Sequence, residues 1–461
     1  MPNECCMSNM LKTFGPGIMF ACTAVGVSHL MQSTRAGAEY GFVPIVFVVL
    51  AVLLKYPFYE FSSRYTNVTG TSMIDGYLRL GRPFLLFYFA ITVASMFFVT
   101  GAVGFVTAGF MENLFSLEFL GGWTLVILFA VCAGILVTGR YTVLDSLLKM
   151  VAAVLVVSTV LAFTVAVHNG PVSPVPGFEP PEILTGAGIF FLMALMGWMP
   201  MPIDTATWHS LWTLERIKQT RFMPRLNETL LDFNIGYVVT GVLAVIFLVL
   251  GAYIFFGSGE DLPNNNALFA AKIVTLYTET VGEWSGLVIS ASAFSVMFGT
   301  IIAVFDGYSR TLSRMTRMVA GIWRVDRTAP GLHDSDAPTA CNHDRDGGDD
   351  TPHSHAGVDA HHDDSRGLRY PLYILMLAAG SLAVVTLFGD RLRELVDFAT
   401  VVSFLIAPII AVFNFRLVTG RYLKRSMQPP RWLKVLACSG IVFLAGFAVF
   451  FVLVRAGVVS L

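Results

Sequence analysis

The most informative part of the chain is residues 14–42, which read FGPGIMFACTAVGVSHLMQSTRAGAEYGF. This stretch is long and apolar enough for a membrane span, because ~20 apolar residues cross the hydrocarbon core as a helix. Its centre is nevertheless small and polar, and the residues concerned are Gly26, Val27, Ser28, His29, Gln32, Ser33, Thr34 and Arg35. Such a centre is costly in a helix that only anchors a protein, and it favours an interrupted helix that lines a solute site. Transport is therefore the first hypothesis for function.

The composition of the whole chain indicates a helical membrane protein with many spans. Of its 461 residues, 55% are hydrophobic and 13% are charged, and the mean hydropathy is +0.69. These values lie outside the range of soluble domains. The net charge of −1 gives no sign of a nucleic-acid partner, so the lipid bilayer and a small solute are the expected partners.

Eleven segments qualify as membrane spans by their length and apolarity. They lie near residues 15–40, 43–63, 84–109, 122–139, 145–168, 184–210, 233–256, 282–306, 370–388, 394–415 and 433–455. Arginine and lysine concentrate in alternate loops, including those at 64–83, 211–232 and 416–432. By the positive-inside rule the N-terminus is predicted to be cytoplasmic, and an odd number of spans puts the C-terminus outside. A bacterial inner membrane is the expected location.

A segment of different composition separates the eighth and ninth spans. Residues 328–367 contain six of the nine histidines among many aspartates and glycines, with almost no large apolar side chains. Such a segment cannot bury enough surface to fold, so a disordered cytoplasmic loop is predicted. The chain is thereby divided into spans 1–8 at 1–327, the loop at 328–367, and spans 9–11 at 368–461. The loop could bind metal loosely, although a solvated linker is the simpler interpretation.

Span six is interrupted in the same way as span one. Its core reads GWMPMPIDT at 197–205, followed by ATWHS at 206–210, and its two prolines prevent a continuous helix. Paired interruptions five spans apart are typical of corresponding members of two five-helix repeats around a transporter's central site. We therefore predict an all-α membrane protein of eleven transmembrane helices, with two inverted five-helix repeats and broken helices 1 and 6. Non-helical backbone is expected near 25–29 and 198–203.

Motifs along the chain resemble the Nramp family of metal-ion transporters, whose fold is similar to that of LeuT. The matching motifs are Gly15-Pro16-Gly17, Ala36-Gly37-Ala38-x-x-Gly41, Val68-Thr69-Gly70 after the second span, and His209-Ser210 at the end of the sixth. The resemblance covers all the spans but not the loop at 328–367. It implies a LeuT-like fold, alternating access, and symport of a divalent metal cation such as Mn, Fe or Mg.

The chain departs from this family where the resemblance implies metal ligands. The Asp and Asn of the family's first interruption correspond here to Gly26 and His29, with Val27 and Ser28 between them. The family's Met-Pro-His corresponds to residues 201–203, which Asp204 follows, or to 199–201 in another register. The family's acidic residue in span three, implicated in proton transfer, has no counterpart in residues 89–110. The resemblance thus implies a transporter without the usual first carboxylate.

A divalent cation is the first cargo that the residues around the interruptions would suit. Mn²⁺ and Mg²⁺ prefer hard oxygen ligands, and a carboxylate helps to offset their dehydration. Asp204 could supply that carboxylate, with Met201 and His29 as further metal ligands. The predicted substrate-binding residues are Gly26, Val27, Ser28, His29, Gly197, Met199, Met201, Asp204 and Thr205.

A small anion such as bicarbonate is the alternative cargo. The second half of a broken span begins with free N–H groups and the positive end of a helix dipole, which attract an oxyanion. Ser33, Thr34 and Arg35 lie there and are the possible anion contacts. Arg35 could instead pair with Glu39 near the outer mouth. The residues alone leave the choice between the two cargoes open.

The energy source and the remaining roles follow from weaker signals. No nucleotide-binding loop occurs in the sequence, so an ion gradient is expected to drive transport, with a proton or sodium as the coupling ion. His209 is a candidate proton relay because imidazole changes charge near neutral pH. Asp306 and Asp397, close to predicted span ends, are expected to be solvated or ion-paired.

Two further classes of protein were weighed against a transporter. A membrane regulator that senses metal through residues 328–367 is the second alternative. An enzyme is not expected, because the sequence contains no nucleophile–base pair or metalloprotease spacing, and no cofactor is expected either.

Overall fold

The structure, a computed structural model, describes residues 15–138, 141–260, 262–263, 265–328, 369–389 and 391–458. All regular secondary structure in these residues is helical. The helices are α1 (Pro16–Ala24), α2 (Thr34–Tyr40), α3 (Ile45–Thr69), α4 (Met73–Leu80), α5 (Arg82–Phe115), α6 (Trp123–Thr138), α7 (Tyr141–Asn169), α8 (Gly186–Gly197), α9 (Ala206–Thr220), α10 (Leu226–Phe255), α11 (Asn266–Val281), α12 (Gly286–Thr328), α13 (Arg369–Phe388), α14 (Leu392–Thr419) and α15 (Arg431–Arg455). The predicted disordered loop falls, apart from Thr328, outside the described residues.

Seven of these helices are long and apolar enough to cross a membrane. They are α3, α5, α10, α12 as far as Ile322, α13, α14 and α15, and their most apolar windows reach mean hydropathies of 1.7 to 2.7. Three shorter apolar helices occur at Trp123–Thr138, Val156–Asn169 and Gly186–Gly197. The chain is therefore an integral membrane protein, and the four other predicted spans correspond to α6, to α7 and to the two interrupted helices.

Two elements differ from the sequence prediction. The predicted connection between spans seven and eight contains α11, whose first turn is capped by the Asn265 side chain accepting from the N–H groups of Ala267 and Leu268. This helix packs against α5 and α7. The predicted span at 282–306 continues as α12 to Thr328, and two of the arginines in the extension pair with acids, Arg310 with Asp306 and Arg314 with Asp75.

The first predicted span is broken after α1. Val25 and Gly26 form a bend, and a π-helical turn at Ser28–Ser33 then leads into α2. Gly26 lies against α12 so closely that a Cβ atom there would be 2.9 Å from the Thr300 side chain. The prediction of a break is confirmed, but the helical path resumes earlier than residue 29. We call residues 25–27 the first interruption.

The sixth predicted span is broken between α8 and α9. Residues 198–202 are not helical, and a 3₁₀ turn at Ile203–Thr205 precedes α9. This second break is also confirmed, and we call residues 198–202 the second interruption. Gly197, the last residue of α8, packs against the backbone carbonyl of Thr400 in α14, where a Cβ would collide. Glycine therefore permits the close approach of α8 to α14.

One face of α3 supplies hydrogen-bond donors to the second interruption. Lys55 Nζ lies within 2.6–3.4 Å of three carbonyl oxygens, Tyr59 donates to Pro202 O at 2.5 Å, and Ser62 donates to Ala206 O at 2.6 Å. The three donors stand at helical spacing on α3, so they project from one side. Helix ends leave carbonyls without intrahelical partners, and hydrocarbon cannot solvate them. The α3 side chains take the place of that solvent.

The start of α1 is fixed in a comparable way by α10. The N–H groups of Gly15 and Gly17 donate to the carboxylate of Asp232 at 3.3 and 2.7 Å. A carboxylate at this end satisfies free donors and opposes the positive end of the helix dipole. The Gly-Pro-Gly motif at 15–17 therefore has a structural role, since Gly17 also packs directly against the Asp232 backbone.

Candidate functional site

A cavity of about 40 Å³ lies between the first and second interruptions, and we call it the central cavity. Its lining is mostly apolar and includes Met201 and Trp208, and the hydroxyl-bearing residues that line it are Thr23, Ser28, Thr205 and Thr300. Each of these six residues is buried. One water-sized group needs roughly 10–15 Å³, so the cavity has room for about three, or for one small ion with little hydration.

The structure brings four of the predicted substrate-binding residues to the central cavity. They are Val27, Ser28, Met201 and Thr205, two from each broken helix. Gly26 lies at the bend directly before them, and Gly197 lies at the end of α8 beside them. Met199 is fully buried in the hydrophobic core and is not among the residues that line the cavity. The two interruptions thus meet around one small cavity.

His29 lies behind Ser28 and has both ring nitrogens occupied. Its Nε2 is 2.9 Å from the carbonyl oxygen of Thr240, which can only accept, so Nε2 carries the proton of the neutral ring. Nδ1 then accepts from the Ser28 hydroxyl at 2.8 Å. A metal ion would have to displace one of these hydrogen bonds to bind His29. In this conformation the ring positions a cavity hydroxyl and does not itself line the cavity.

Asp204 stands on the 3₁₀ turn, where its carboxylate interacts electrostatically with Lys55. Lys55 is completely buried, and Asp204 retains 8% exposure. The buried Tyr88 hydroxyl donates to the backbone carbonyl oxygen of Asp204 at 3.1 Å. Asp204 is absent from the residues described as lining the central cavity. A buried acid and a buried base therefore lie near the cavity, and their opposite charges attract each other.

Of the predicted anion contacts, Ser33 ends the π-helical turn, and Thr34 and Arg35 begin α2. Arg35 Nη1 donates to both carboxylate oxygens of Asp397 at 2.8 Å, and its Nε donates to Glu39 at 2.8 Å. Ser33 donates to the carbonyl oxygen of Ser28 at 3.3 Å. The backbone of Thr34 packs against Gly251 of α10. The structure places these three residues outside the cavity lining. Arg35 forms ion pairs, and one of its partners is Glu39, as the alternative interpretation of Arg35 predicted.

His209, the candidate proton relay, lies on α9 within an aromatic cluster. Its Nε2 is 3.0 Å from the Ser63 hydroxyl, and its ring is 5.5 Å from that of Phe233 and 5.9 Å from that of Phe20. The residue is buried and does not line the central cavity. Asp306, like Asp397, forms the expected ion pair, and its partner is Arg310 at 2.8 Å.

Lys55 is the main site residue that sequence reasoning missed. It stands within the apolar run VVLAVLLKYPFYEF at 48–61, and an ionisable side chain inside a span is a signal of a functional position. Tyr59 and Tyr88 were missed as well, and aromatic residues of a span carry no comparable signal. Their hydroxyls bond the backbone carbonyls of Pro202 and Asp204.

The central cavity offers oxygen ligands without a clustered acid site. Hydroxyl and carbonyl oxygens suit hard cations, and the thioether of Met201 suits softer ones. Across the described residues, no three His, Cys, Asp or Glu side chains come close enough together to hold a metal ion. The acid nearest in sequence to a lining residue is Asp204, which directly precedes Thr205.

Comparison with curated proteins gives one relative along almost the whole chain. An uncharacterized protein of Pasteurella multocida is 30% identical over 449 residues, which cover 96% of this chain and 92% of the relative. The divalent metal cation transporter MntH of Latilactobacillus sakei is 23% identical over 275 residues, or 57% of this chain and 58% of the relative. MntH of Levilactobacillus brevis is 26% identical over 284 residues, or 56% of this chain and 57% of that protein. No protein-family model matches the chain.

Solved structures agree with the fold described above. A mutant of the Eremococcus coleocola manganese transporter superposes with a TM-score of 0.65 at 14% identity, covering 96% of this chain and 86% of that one. The structure of MhsT in complex with L-phenylalanine gives a TM-score of 0.56 at 12% identity, covering 95% and 97%. At such identities the likeness concerns the fold, which is LeuT-like. The curated relatives with a named activity are transporters and not enzymes. The chain belongs to the same family as the Pasteurella multocida protein, and it is a divergent member of the Nramp family.

Proposed function

We propose that the chain is a secondary transporter that carries a small inorganic ion through the central cavity. The observation that carries this proposal is the meeting of two interrupted helices around a small cavity, whose lining includes Ser28 from the first broken helix and Thr205 from the second. Interrupted helices in corresponding positions provide free backbone groups for a solute at mid-membrane. Alternating access would expose this space to each side in turn.

A divalent metal cation is the cargo that the relatives support. The MntH proteins are named as divalent metal cation transporters, and the Eremococcus coleocola protein as a manganese transporter. In this chain the ion would meet the oxygens of Ser28 and Thr205 and the sulfur of Met201. Asp204, with its remaining exposure, would add the carboxylate once it turns from Lys55. A proton or sodium gradient would drive the movement.

An anion such as bicarbonate is a second candidate, and the charge distribution favours it. No acidic side chain is among the described residues that line the central cavity. The carboxylate of the neighbouring Asp204 is already offset by the positive charge of buried Lys55. A divalent cation without a nearby counter-charge loses much of the free energy of its hydration. An anion would avoid that cost, and a hydroxyl such as that of Thr205 would donate to it after giving up its hydrogen bond to the Pro202 carbonyl.

A flux assay in proteoliposomes decides between these cargoes. We expect Mn²⁺ uptake in the wild-type protein and at least a tenfold loss in Asp204→Asn, which keeps the shape of the side chain and removes its charge. The matched control is Glu118→Gln, an exposed carboxylate away from the cavity, which should retain uptake. Bicarbonate flux in the absence of Mn²⁺ and Mg²⁺ flux would show that the cargo is the anion and not the metal. If none of the three ions is transported, both proposed cargoes are contradicted.

We further infer eleven spans in two inverted repeats, with the N-terminus in the cytoplasm of a bacterial cell and the C-terminus outside. The support is the alternation of basic loops, together with the seven long apolar helices and the shorter or broken ones between them. Reporter fusions at the loop residues 121 and 177 should report the outer side, and fusions at 222 and 421 the cytoplasmic side. The reverse pattern would overturn the orientation.

A further inference from the structure

Lys55 occupies a position that has the chemistry of a cation site. Its Nζ lies 2.6 Å from the carbonyl oxygen of Met196, 2.8 Å from that of Gly197 and 3.4 Å from that of Met201. The side chain is completely buried in α3 and is surrounded by protein on all sides. Three carbonyl oxygens therefore converge on one charged group inside the membrane part of the chain.

The origin of these carbonyls explains why they would attract a cation. Met196 and Gly197 end α8, where the last carbonyls lack the N–H donor four residues further on, and Met201 lies between the two prolines of the second interruption. The Met196 carbonyl also accepts from the N–H of Met199 at 3.4 Å. The end of α8 also carries the negative end of the helix dipole. Carbonyls freed at a half-helix end are groups that coordinate monovalent cations in membrane transporters.

The number of acceptors matches the charged form of the side chain. An ammonium group has three N–H donors and no acceptor, whereas a neutral amine would have only two hydrogens for three carbonyls. The carboxylate of Asp204 interacts with this charge from the start of the second half of the broken helix. The ammonium thus connects both halves of the helix, by hydrogen bonds to one and electrostatically to the other.

We propose that this is a monovalent-cation site which the chain fills with its own side chain. The Lys55 ammonium is a tethered cation that neutralises the end of α8 and holds the second interruption in place. Removing the side chain leaves a space of suitable size, lined by three carbonyls, for Na⁺, K⁺ or a small alkylammonium ion. The inference concerns this half-helix end and does not depend on which ion the protein carries.

The test uses purified full-length protein in detergent, with choline as the only other cation, and measures the melting temperature. Lys55→Ala should melt below the wild type, and added methylammonium or Na⁺ should raise its melting temperature by about 2 °C in a saturable manner. Wild type should show no saturable response. Lys55→Met fills the space without a charge, so it should be destabilised and should not respond. Lys424→Ala, at an exposed lysine, should behave like wild type.

Three results would overturn the proposal. The first is a Lys55→Ala protein that melts like the wild type in choline, because the carbonyls would then need no cation. The second is a destabilised Lys55→Ala protein whose melting temperature responds to none of the cations. The third is a Lys55→Met protein that responds to the cations as strongly as Lys55→Ala. If Lys55→Ala cannot be purified in choline, the readout becomes the yield of monodisperse protein. Recovery only with methylammonium or Na⁺ supports the proposal, and failure under both conditions contradicts it.

Discussion

Arg35 Nη1 donates to both carboxylate oxygens of Asp397 at 2.8 Å, which ties the second half of the first broken helix to α14. The Asp397 carboxylate also accepts from the Gln32 amide at 3.0 Å, and the Arg35 guanidinium lies 4.8 Å from the centre of the Phe191 ring. Both members of the pair are largely buried, with side-chain exposures of 11% and 8%. The contact therefore joins three separate helices two turns beyond the central cavity.

Removal of one partner of this pair should be much more harmful than removal of both. Arg35→Met leaves a buried carboxylate without its counter-charge, and such changes cost about 3–5 kcal/mol. The double variant Arg35→Met/Asp397→Leu should recover most of that loss. Unfolding of the four proteins in mixed micelles gives the coupling free energy of the double-mutant cycle. Additive effects of the two single changes would show that the pair is not coupled.

Gly197→Ala should disturb the packing of α8 against α14. The new Cβ would collide with the carbonyl oxygen of Thr400, and overpacking of this kind costs about 1–3 kcal/mol. The matched control is Gly186→Ala at the other end of the same helix, where a Cβ would meet no atom within 4 Å. The control should be neutral or slightly stabilising in thermal unfolding. Equal effects of the two changes would contradict the close contact.

Ser28→Ala should lower transport without unfolding the protein. The change removes one hydroxyl from the cavity and the hydrogen bond that orients His29, and a lost neutral hydrogen bond costs about 1 kcal/mol. We expect about a tenfold fall in the initial rate of Mn²⁺ uptake. Ser295→Ala is the control, because Ser295 also bonds the carbonyl four residues earlier but lies outside the described cavity lining. Unchanged uptake in Ser28→Ala would remove this hydroxyl from the ion path.

Deletion of residues 330–366 should leave uptake unchanged. The segment is predicted to be a solvated linker, and its histidines and aspartates show no fixed ligand spacing in the sequence. The deletion should be compared with a version in which a Gly/Ser linker of equal length replaces the segment. Loss of a metal response together with retained membrane insertion would favour the regulator instead.

The positions of the two interruptions could be predicted from sequence because their causes are local. The two prolines of the second interruption remove backbone donors, and Gly26 stands amid polar residues in an apolar span. This local signal also placed Val27, Ser28, Met201 and Thr205 at the cavity. In contrast, the direction of the Asp204 side chain depends on the 3₁₀ turn and on Lys55 from another helix. No pattern of neighbouring residues contains that information.

Contacts between residues far apart in the sequence could not be predicted either. The sequence offers Glu39 as a partner for Arg35 because it stands one turn away, but Asp397 is 362 residues distant. Lys55 likewise carried a readable signal, an ionisable group in an apolar run. Which carbonyls it meets follows only from the packing of α3 against the end of α8. Tertiary contacts therefore decide the roles of residues whose importance the sequence can indicate.

The donors on α3 constrain which parts of the protein can move together. Lys55, Tyr59 and Ser62 between them serve five backbone carbonyls around the second interruption, those of Met196, Gly197, Met201, Pro202 and Ala206. Moving the broken helix away from α3 would break all five of these hydrogen bonds. Among the carbonyls, that of Pro202 would keep the N–H and the hydroxyl of Thr205 as donors, and that of Met196 would keep the N–H of Met199. We expect motions that keep α3 and the second interruption together to cost less free energy, so we expect any rocking movement to hinge outside this pair.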